Sequence, residues 1–301
     1  MVADAADQAP EAARLGALRI RPHLDALLAG LDNQRHLAAD PVAFVHRFAS
    51  PQDREVIAFF AALLAYGRVD LIRRALTDVV ARVGPTPAAT AAAEDLPAAR
   101  QRFDGFVYRL TRGEDLARLW AGIGHLLRRH GSLLAAFQAG DDGQGDLRAA
   151  LTRFHRAFNE PLAAEAPRQA YKHLLPDPAG PSPVKRLNLL LRWLVRGPDA
   201  IDLGLWRVLG PARLTIPLDT HVHRISRYLG LTARTQADHR TAAEITTALR
   251  ALDPADPLRY DFALAHLGIS GACPSRRVEA ICVSCPLEPI CRLDAEGRPL
   301  R

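Results

Sequence analysis

"GACPSRRVEAICVSCPLEPICRL" (Gly271–Leu293) holds all four cysteines of a 301-residue chain. Their spacing is C-x8-C-x2-C-x5-C, from Cys273 through Cys282 and Cys285 to Cys291. The inner pair puts two sulfurs on one tight turn, and the flanking gaps let the other two close around a shared ion or cluster. Pro274, Pro286 and Pro289 keep the segment out of continuous helix, so the thiolates can converge. Four thiolates hold a four-iron cluster. A tetrahedral zinc site is the second reading, although zinc ribbons usually supply two separate C-x2-C hooks and this chain has one hook and two singletons. Four unrelated buried cysteines are the third. Spacing favours the first and leaves the others open.

Outward from this tail, the chain is 49% apolar and 24% charged, enough for a large core or two interleaved ones. The longest apolar run, Val56 to Tyr66, is broken by Gly67 and is too short to span a membrane. The opening "MVADAADQAP" has no basic-then-apolar order, so a cytoplasmic protein is expected, where clustered thiols stay reduced and bind metal. The net charge of +6 suits an anionic partner such as nucleic acid, or simply a basic solvated surface. Lys172 and Lys185 are the two lysines of the chain, so amine chemistry has two candidates.

The pattern predicts an all-α fold. Apolar spacings of three and four recur, and strand alternation does not. Helices are expected from Leu15 to Leu31, after the Ser50-Pro51 cap, through Leu71 and Leu76, and over Asp115–Arg129, Leu147–Phe158 and Ala166–Leu174. "GPTPAATAAAEDLPAAR" (Gly84–Arg100) reads as a loop or weak helix. Ser182 and Pro183 read as the cap and first residue of a helix reaching Arg196. Shorter helices are expected over Leu203–Leu209, from Asp219 to Gly230, near Thr241–Leu252 and over Leu258–Leu267.

Two residues carry candidate chemistry. Asp219 opens a helix in "IPLDTHVHRISRYLG" (Ile216–Gly230), where an aspartate is either a cap or a fixed carboxylate. Lys185 lies in the first turn of its helix, where the positive helix end disfavours an ammonium and favours a nucleophilic amine. The plain alternative is a solvated lysine at an exposed helix start.

"DFALAHLGISGAC" followed by "CVSCPLEPIC" resembles the C-terminal segment of endonuclease III and its relatives in the helix-hairpin-helix (HhH-GPD) DNA glycosylase superfamily. "IPLDTHVHRISRYLG" is similar to the superfamily's segment bearing the essential carboxylate. "PVKRLNLLLRWLVR" looks like the lysine-bearing hairpin helix of the archaeal 8-oxoguanine glycosylases. "AALLAYGRVD", "DLGLW" and "DPLRYDFALAHLGI" are similar to a bacterial branch of the superfamily, a likeness that implies a fold and a chemistry class but no substrate. Two departures stand out. The first cysteine gap is eight residues where the family usually has six, and the hairpin "LLPDPAGPSPVK" keeps a single glycine, Gly180.

The resemblance implies a two-lobed fold: a helical barrel over residues 52–214 with a degenerate hairpin, and a terminal lobe of residues 1–51 and 215–301 carrying a [4Fe-4S] cluster on Cys273, Cys282, Cys285 and Cys291, with zinc as the alternative. It implies a monomeric base-excision enzyme, a glycosylase and abasic-site lyase. This enzyme flips a damaged base out of double-stranded DNA, with Lys185 as Schiff-base nucleophile facing the Asp219 carboxylate across the groove between the lobes. Implied DNA contacts are Tyr66 or Arg68 at the break where relatives wedge a side chain into the stack, Arg186, Arg192 and Arg196 on the hairpin helix, and Arg276 and Arg277 in the widened cysteine gap. The alternative is a non-catalytic iron–sulfur protein that binds DNA or RNA.

Overall fold

The computed structural model describes residues 16, 19–32, 37–38 and 40–293, and these are mostly helical. The chain divides into two compact units, Asn33–Arg213 and the two ends Met1–Asp32 with Leu214–Arg301. The expected boundary at 51/52 therefore falls at 32/33, because the Pro41–Arg47 turn packs on the helix that follows it.

The central unit is built around the Pro51–Leu63 helix. Ser50 caps it, its side chain accepting the Asp53 N–H, with Pro51 at the first position as the sequence predicts. From Val56 to Leu64 every residue is buried, so this stretch is apolar on all sides and must be enclosed. The Lys185–Val195 helix, the Pro41–Arg47 turn and the Pro87–Ala93 helix enclose it.

Its two acids serve other elements. Asp53 accepts the Ala88 N–H at 2.9 Å. Glu55 turns inward and accepts the Leu133 and Leu134 N–H groups at 2.8 and 3.2 Å, at the start of the Leu133–Gln138 helix, and the Trp206 Nε1–H at 2.7 Å. Burial pushes the Glu55 carboxyl up from its usual range, against the pull of those three donors.

Most of the remaining central helices appear close to where the spacing puts them: Val69–Val83, Gly113–His130, Arg148–Asn159 and Gln169–Leu174. Gly84–Arg100 resolves into two short helices, Pro87–Ala93 and Leu96–Arg102, the second capped by Asp95. The Gly113–His130 helix packs on both.

Three readings change. Val107–Tyr108 pairs antiparallel with Thr111–Arg112 in a small hairpin, a strand signal two residues long and invisible to periodicity. The Leu203–Leu209 helix reduces to one 3-10 turn, Arg207–Leu209, because Leu203 and Trp206 instead donate to the last carbonyls of the Lys185–Val195 helix. That helix starts at Lys185, capped by Val184 in the left-handed region (φ 42°, ψ 45°), while the Ser182 hydroxyl accepts the Val184 N–H in a local turn. Ser182 and Pro183 therefore lie outside the helix.

In the terminal unit, residues 19–29 are helical. Residues 15, 17 and 18 of the expected first helix lie outside the described residues, and residues 30 and 31 are not helical, so it ends before Gly30. Tyr260 donates to Asp25 at 2.8 Å and Arg21 to the Leu252 carbonyl at 3.3 Å, which ties this helix to the C-terminal half of its own unit. There the helices Thr220–Tyr228, His239–Leu252 and Asp261–Ile269 form, with Thr220–Tyr228 packed on Asp261–Ile269. Gly268 permits this approach, since a Cβ there would lie 2.5 Å from the His221 Cβ. No helix among the described residues is long and apolar enough to cross a membrane.

Candidate functional site

All four cysteines line one cavity in the terminal unit. Its remaining wall is mostly apolar: Ile225, Tyr228 and Leu229 from the end of the Thr220–Tyr228 helix, Leu267 from the helix packed on it, and Leu287 between the third and fourth cysteines. The tail folds by short local bonds. The Cys273 N–H reaches the Leu267 carbonyl, the Cys285 N–H reaches the Cys282 carbonyl, and the Cys291 N–H reaches the Glu288 carbonyl. A short helix, Glu279–Cys282, carries the second cysteine, and a 3-10 turn, Glu288–Ile290, precedes the fourth. Among the described residues, no three His, Cys, Asp or Glu side chains form a ligand set for a single metal ion.

The thiols sense one another. Burial pushes the Cys273 thiol up to about 11, with the neighbouring Cys285 and Cys291 adding to the rise and the Arg224 guanidinium opposing it. Cys291 is raised chiefly by burial as well, and next by Cys282 and Cys285.

Arg224 is a residue the sequence reading missed. Its Nη2 donates to the Cys273 carbonyl at 2.7 Å, while its Nε–H is buried with no hydrogen-bond partner. A buried orphan donor beside Cys273 is a polar group left without an acceptor. Helical spacing from Asp219 alone could have placed Arg224 midway along the helix, but not beside Cys273.

Asp219 caps the same helix. Its Oδ1 accepts the His221 and Val222 N–H groups, both at 2.8 Å. One helix thus carries the candidate carboxylate at its start and lines the thiol cavity at its end.

In the central unit, Lys185 is half-buried as the first residue of its helix. The residue before it is strained. A buried β-branched Val184 at positive φ is a costly conformation of the kind that collects at functional sites.

Asp40 lies within electrostatic reach of Lys185 and was also missed from sequence. Part of its surface meets solvent, yet its carboxyl is packed densely enough that desolvation pushes it up to about 6. The Val42 N–H, Arg192 and Lys185 pull the other way, and Asp202 adds to the rise. The Asp40-Pro41 pair is a helix-start signal, and Asp40 does accept the Val42 N–H at 2.9 Å, so its sequence context pointed only to a cap.

The arginines expected on the hairpin helix are turned inward. Arg186 is buried, donates to the Leu63 carbonyl at 3.0 Å and to the His173 carbonyl, and stacks over the Tyr66 ring. Arg192 and Arg196 both pair with the fully buried Asp202. These three guanidinia hold the unit together instead of facing a polyanion. An arginine on the apolar side of a helix is read from sequence as exposed, because a distant buried acid such as Asp202 leaves no local signal.

Tyr66 is held in place by hydrogen bonds between its hydroxyl and both Thr111 and the Tyr108 carbonyl. Arg68 is exposed and makes a bidentate pair with Asp70. Arg277 pairs with Glu279 and Glu288 at the rim of the thiol cavity, and Arg276 is exposed. Lys172 is exposed, as expected of a surface residue.

No curated protein and no solved structure matches the chain. Residues 40–270 match the family described as "Protein of unknown function (DUF2400)", a span that includes Lys185 and Asp219 and stops just short of the first cysteine, and the chain belongs to that family.

Proposed function

We propose that this protein is a base-excision DNA glycosylase and abasic-site lyase of the helix-hairpin-helix kind, with a [4Fe-4S] cluster on Cys273, Cys282, Cys285 and Cys291. The observation that carries the reading is the Thr220–Tyr228 helix, capped by Asp219 at one end and lining a four-thiol cavity at the other. Sulfurs spread over a cavity wall suit a polynuclear core, whereas zinc needs its ligands to meet at one atom. The buried Arg224 Nε–H supplies a donor of the right sign for an anionic thiolate cluster. When bound, the cluster ties the tail to this helix and takes no part in bond making.

The chemistry falls to two residues. Cleaving the base–sugar bond builds positive charge on the sugar, and a carboxylate held rigid by two backbone N–H groups stabilises that charge with little reorganisation. The Lys185 amine attacks C1′ as the C1′–N bond breaks, and the base leaves with the bonding pair and takes up a proton. Loss of a proton from nitrogen and ring opening give the Schiff base. Removal of a C2′ proton then expels the 3′ phosphate and cuts the strand. Asp40, within electrostatic reach of Lys185 and with its carboxyl raised to about 6, suits a proton acceptor for the ammonium.

Borohydride trapping on a panel of lesion and abasic duplexes tests this. A covalent adduct that disappears in Lys185→Ala, with iron and sulfide in the brown protein, is the expected result. Base release without trapping, lost in Asp219→Asn, would assign a monofunctional glycosylase.

A non-catalytic iron–sulfur protein that binds nucleic acid is the second reading. It is favoured by the cap bonds of Asp219, which account for an aspartate at this position without any reaction. No adduct and no base release across the panel would select it.

A further inference from the structure

Val107–Tyr108 and Thr111–Arg112 pair directly, so Arg109 and Leu110 form a two-residue turn. Arg109 sits at φ 52°, an uncommon conformation for a side chain of its size, and the Arg112 Nη1–H holds it by donating to the Arg109 carbonyl at 2.9 Å. The hairpin is clamped to the Tyr66–Gly67 corner. The Tyr66 hydroxyl bonds Thr111, the Tyr108 hydroxyl donates to the Tyr66 carbonyl, and Gly67 leaves room for the Arg109 side chain, whose Cδ would lie 3.1 Å from a Cβ there.

This rigid mount presents apolar side chains to solvent. Leu110 is 61% exposed and Val107 63%, beside Val69 at 41%. A leucine held at the tip of a rigid two-residue turn is open to whatever binds there. The surroundings are cationic. Arg109 and Arg112 are exposed, and neither pairs with an acid among the described residues. Asp70, the nearby carboxylate, is already engaged by Arg68.

We propose that this hairpin is a wedge for duplex DNA, with Leu110 inserting between base pairs while Arg109 and Arg112 hold the flanking phosphates. The proposal rests on the nucleic-acid reading above and moves the point of insertion away from Tyr66 and Arg68. An aliphatic wedge between two arginines is the combination that unstacks a base step and neutralises the backbone on either side. An apolar protein surface would cover Leu110 but leave these guanidinia without counter-charge, whereas the phosphates flanking a base step supply it.

The test uses the full-length protein and a duplex carrying 2-aminopurine, with binding titrated across salt. Wild type is expected to bind with 2-aminopurine fluorescence rising as the step unstacks. Leu110→Ala, at an exposed site that leaves the fold intact by circular dichroism, should weaken binding on the order of tenfold and abolish the fluorescence rise, with the salt slope unchanged. Arg109→Ala with Arg112→Ala should lower that slope by about two.

Wild-type binding with unchanged affinity and fluorescence in Leu110→Ala overturns the wedge and leaves the nucleic-acid reading standing. Absence of any salt-dependent duplex binding by the wild type overturns both. A concentration-dependent dimer abolished by Leu110→Asp assigns the tip to self-association and overturns the wedge.

Discussion

The Arg224 guanidinium donates to the Cys273 carbonyl at 2.7 Å, and Arg224 stands five residues after Asp219 on the same capped helix. The first cysteine loop is therefore anchored to the element that orients the candidate carboxylate. Replacing Arg224 with Met keeps the side-chain length and removes the donor. A charged hydrogen bond of this kind contributes about 1.5–3 kcal/mol. The expected outcome is a loss of that order in urea unfolding, with faster amide exchange confined to the segment around Cys273.

Asp219 caps its helix, and the role on the sugar proposed for it is separable from that cap. Asn is as good a cap as Asp, while Ala costs about 1 kcal/mol. Asp219→Asn is expected to unfold near the wild-type midpoint and Asp219→Ala below it. If the carboxylate acts on a sugar, both variants lose base release alike.

Glu55 joins three donors that no other buried acceptor serves in the described structure: the Leu133 and Leu134 N–H groups and the Trp206 Nε1–H. Glu55→Gln turns one acceptor oxygen into a donor facing donors. Loss of at least about 2 kcal/mol is expected from the unsatisfied groups, measured by denaturant midpoint at unchanged m-value.

Gly124 lies where the Gly113–His130 helix crosses the Pro87–Ala93 helix, and a Cβ there would stand 2.1 Å from the Ala91 carbonyl oxygen. Backbone cannot yield as a flexible side chain does. Gly124→Ala is expected to lose about 1–3 kcal/mol despite the higher helix propensity of alanine, and thermal unfolding checks it.

Asp40 makes stability pH-dependent in a defined window. Its carboxyl rises from 3.8 to about 6 in the folded chain, chiefly through desolvation, while Val42 N–H, Arg192 and Lys185 oppose the rise and Asp202 adds to it. The native state then binds the proton more tightly than the unfolded state. The stabilising contribution is full below pH 3.8 and lost as pH rises through about 6. Asp40→Asn keeps the cap and removes the titration. Its stability relative to wild type should increase between pH 4 and 6, by at most about 3 kcal/mol, as read from paired urea titrations.

Much of the helical framework was legible because its signals are local. Ser50-Pro51 and Asp219 each cap a helix through their own side chains, and three- and four-residue apolar spacing marks the faces between. The hairpin at Val107–Arg112 was not legible, since two residues per strand leave no period to read. Val184 as a cap was not legible either. A β-branched residue at positive φ contradicts every local preference and is imposed by the packing around it.

By itself, the chain's order of residues determined a mostly helical protein, a lysine at a helix start, an aspartate cap, and four cysteines in one short tail. Only the tertiary structure decided that the four thiols line a single cavity, that Arg224 meets Cys273, that Asp40 comes near Lys185, and that Arg186, Arg192 and Arg196 turn inward to carbonyls and Asp202. The reason is one of range. Caps and apolar periodicity act over three or four neighbours, whereas burial of a charge depends on partners brought together from distant parts of the chain.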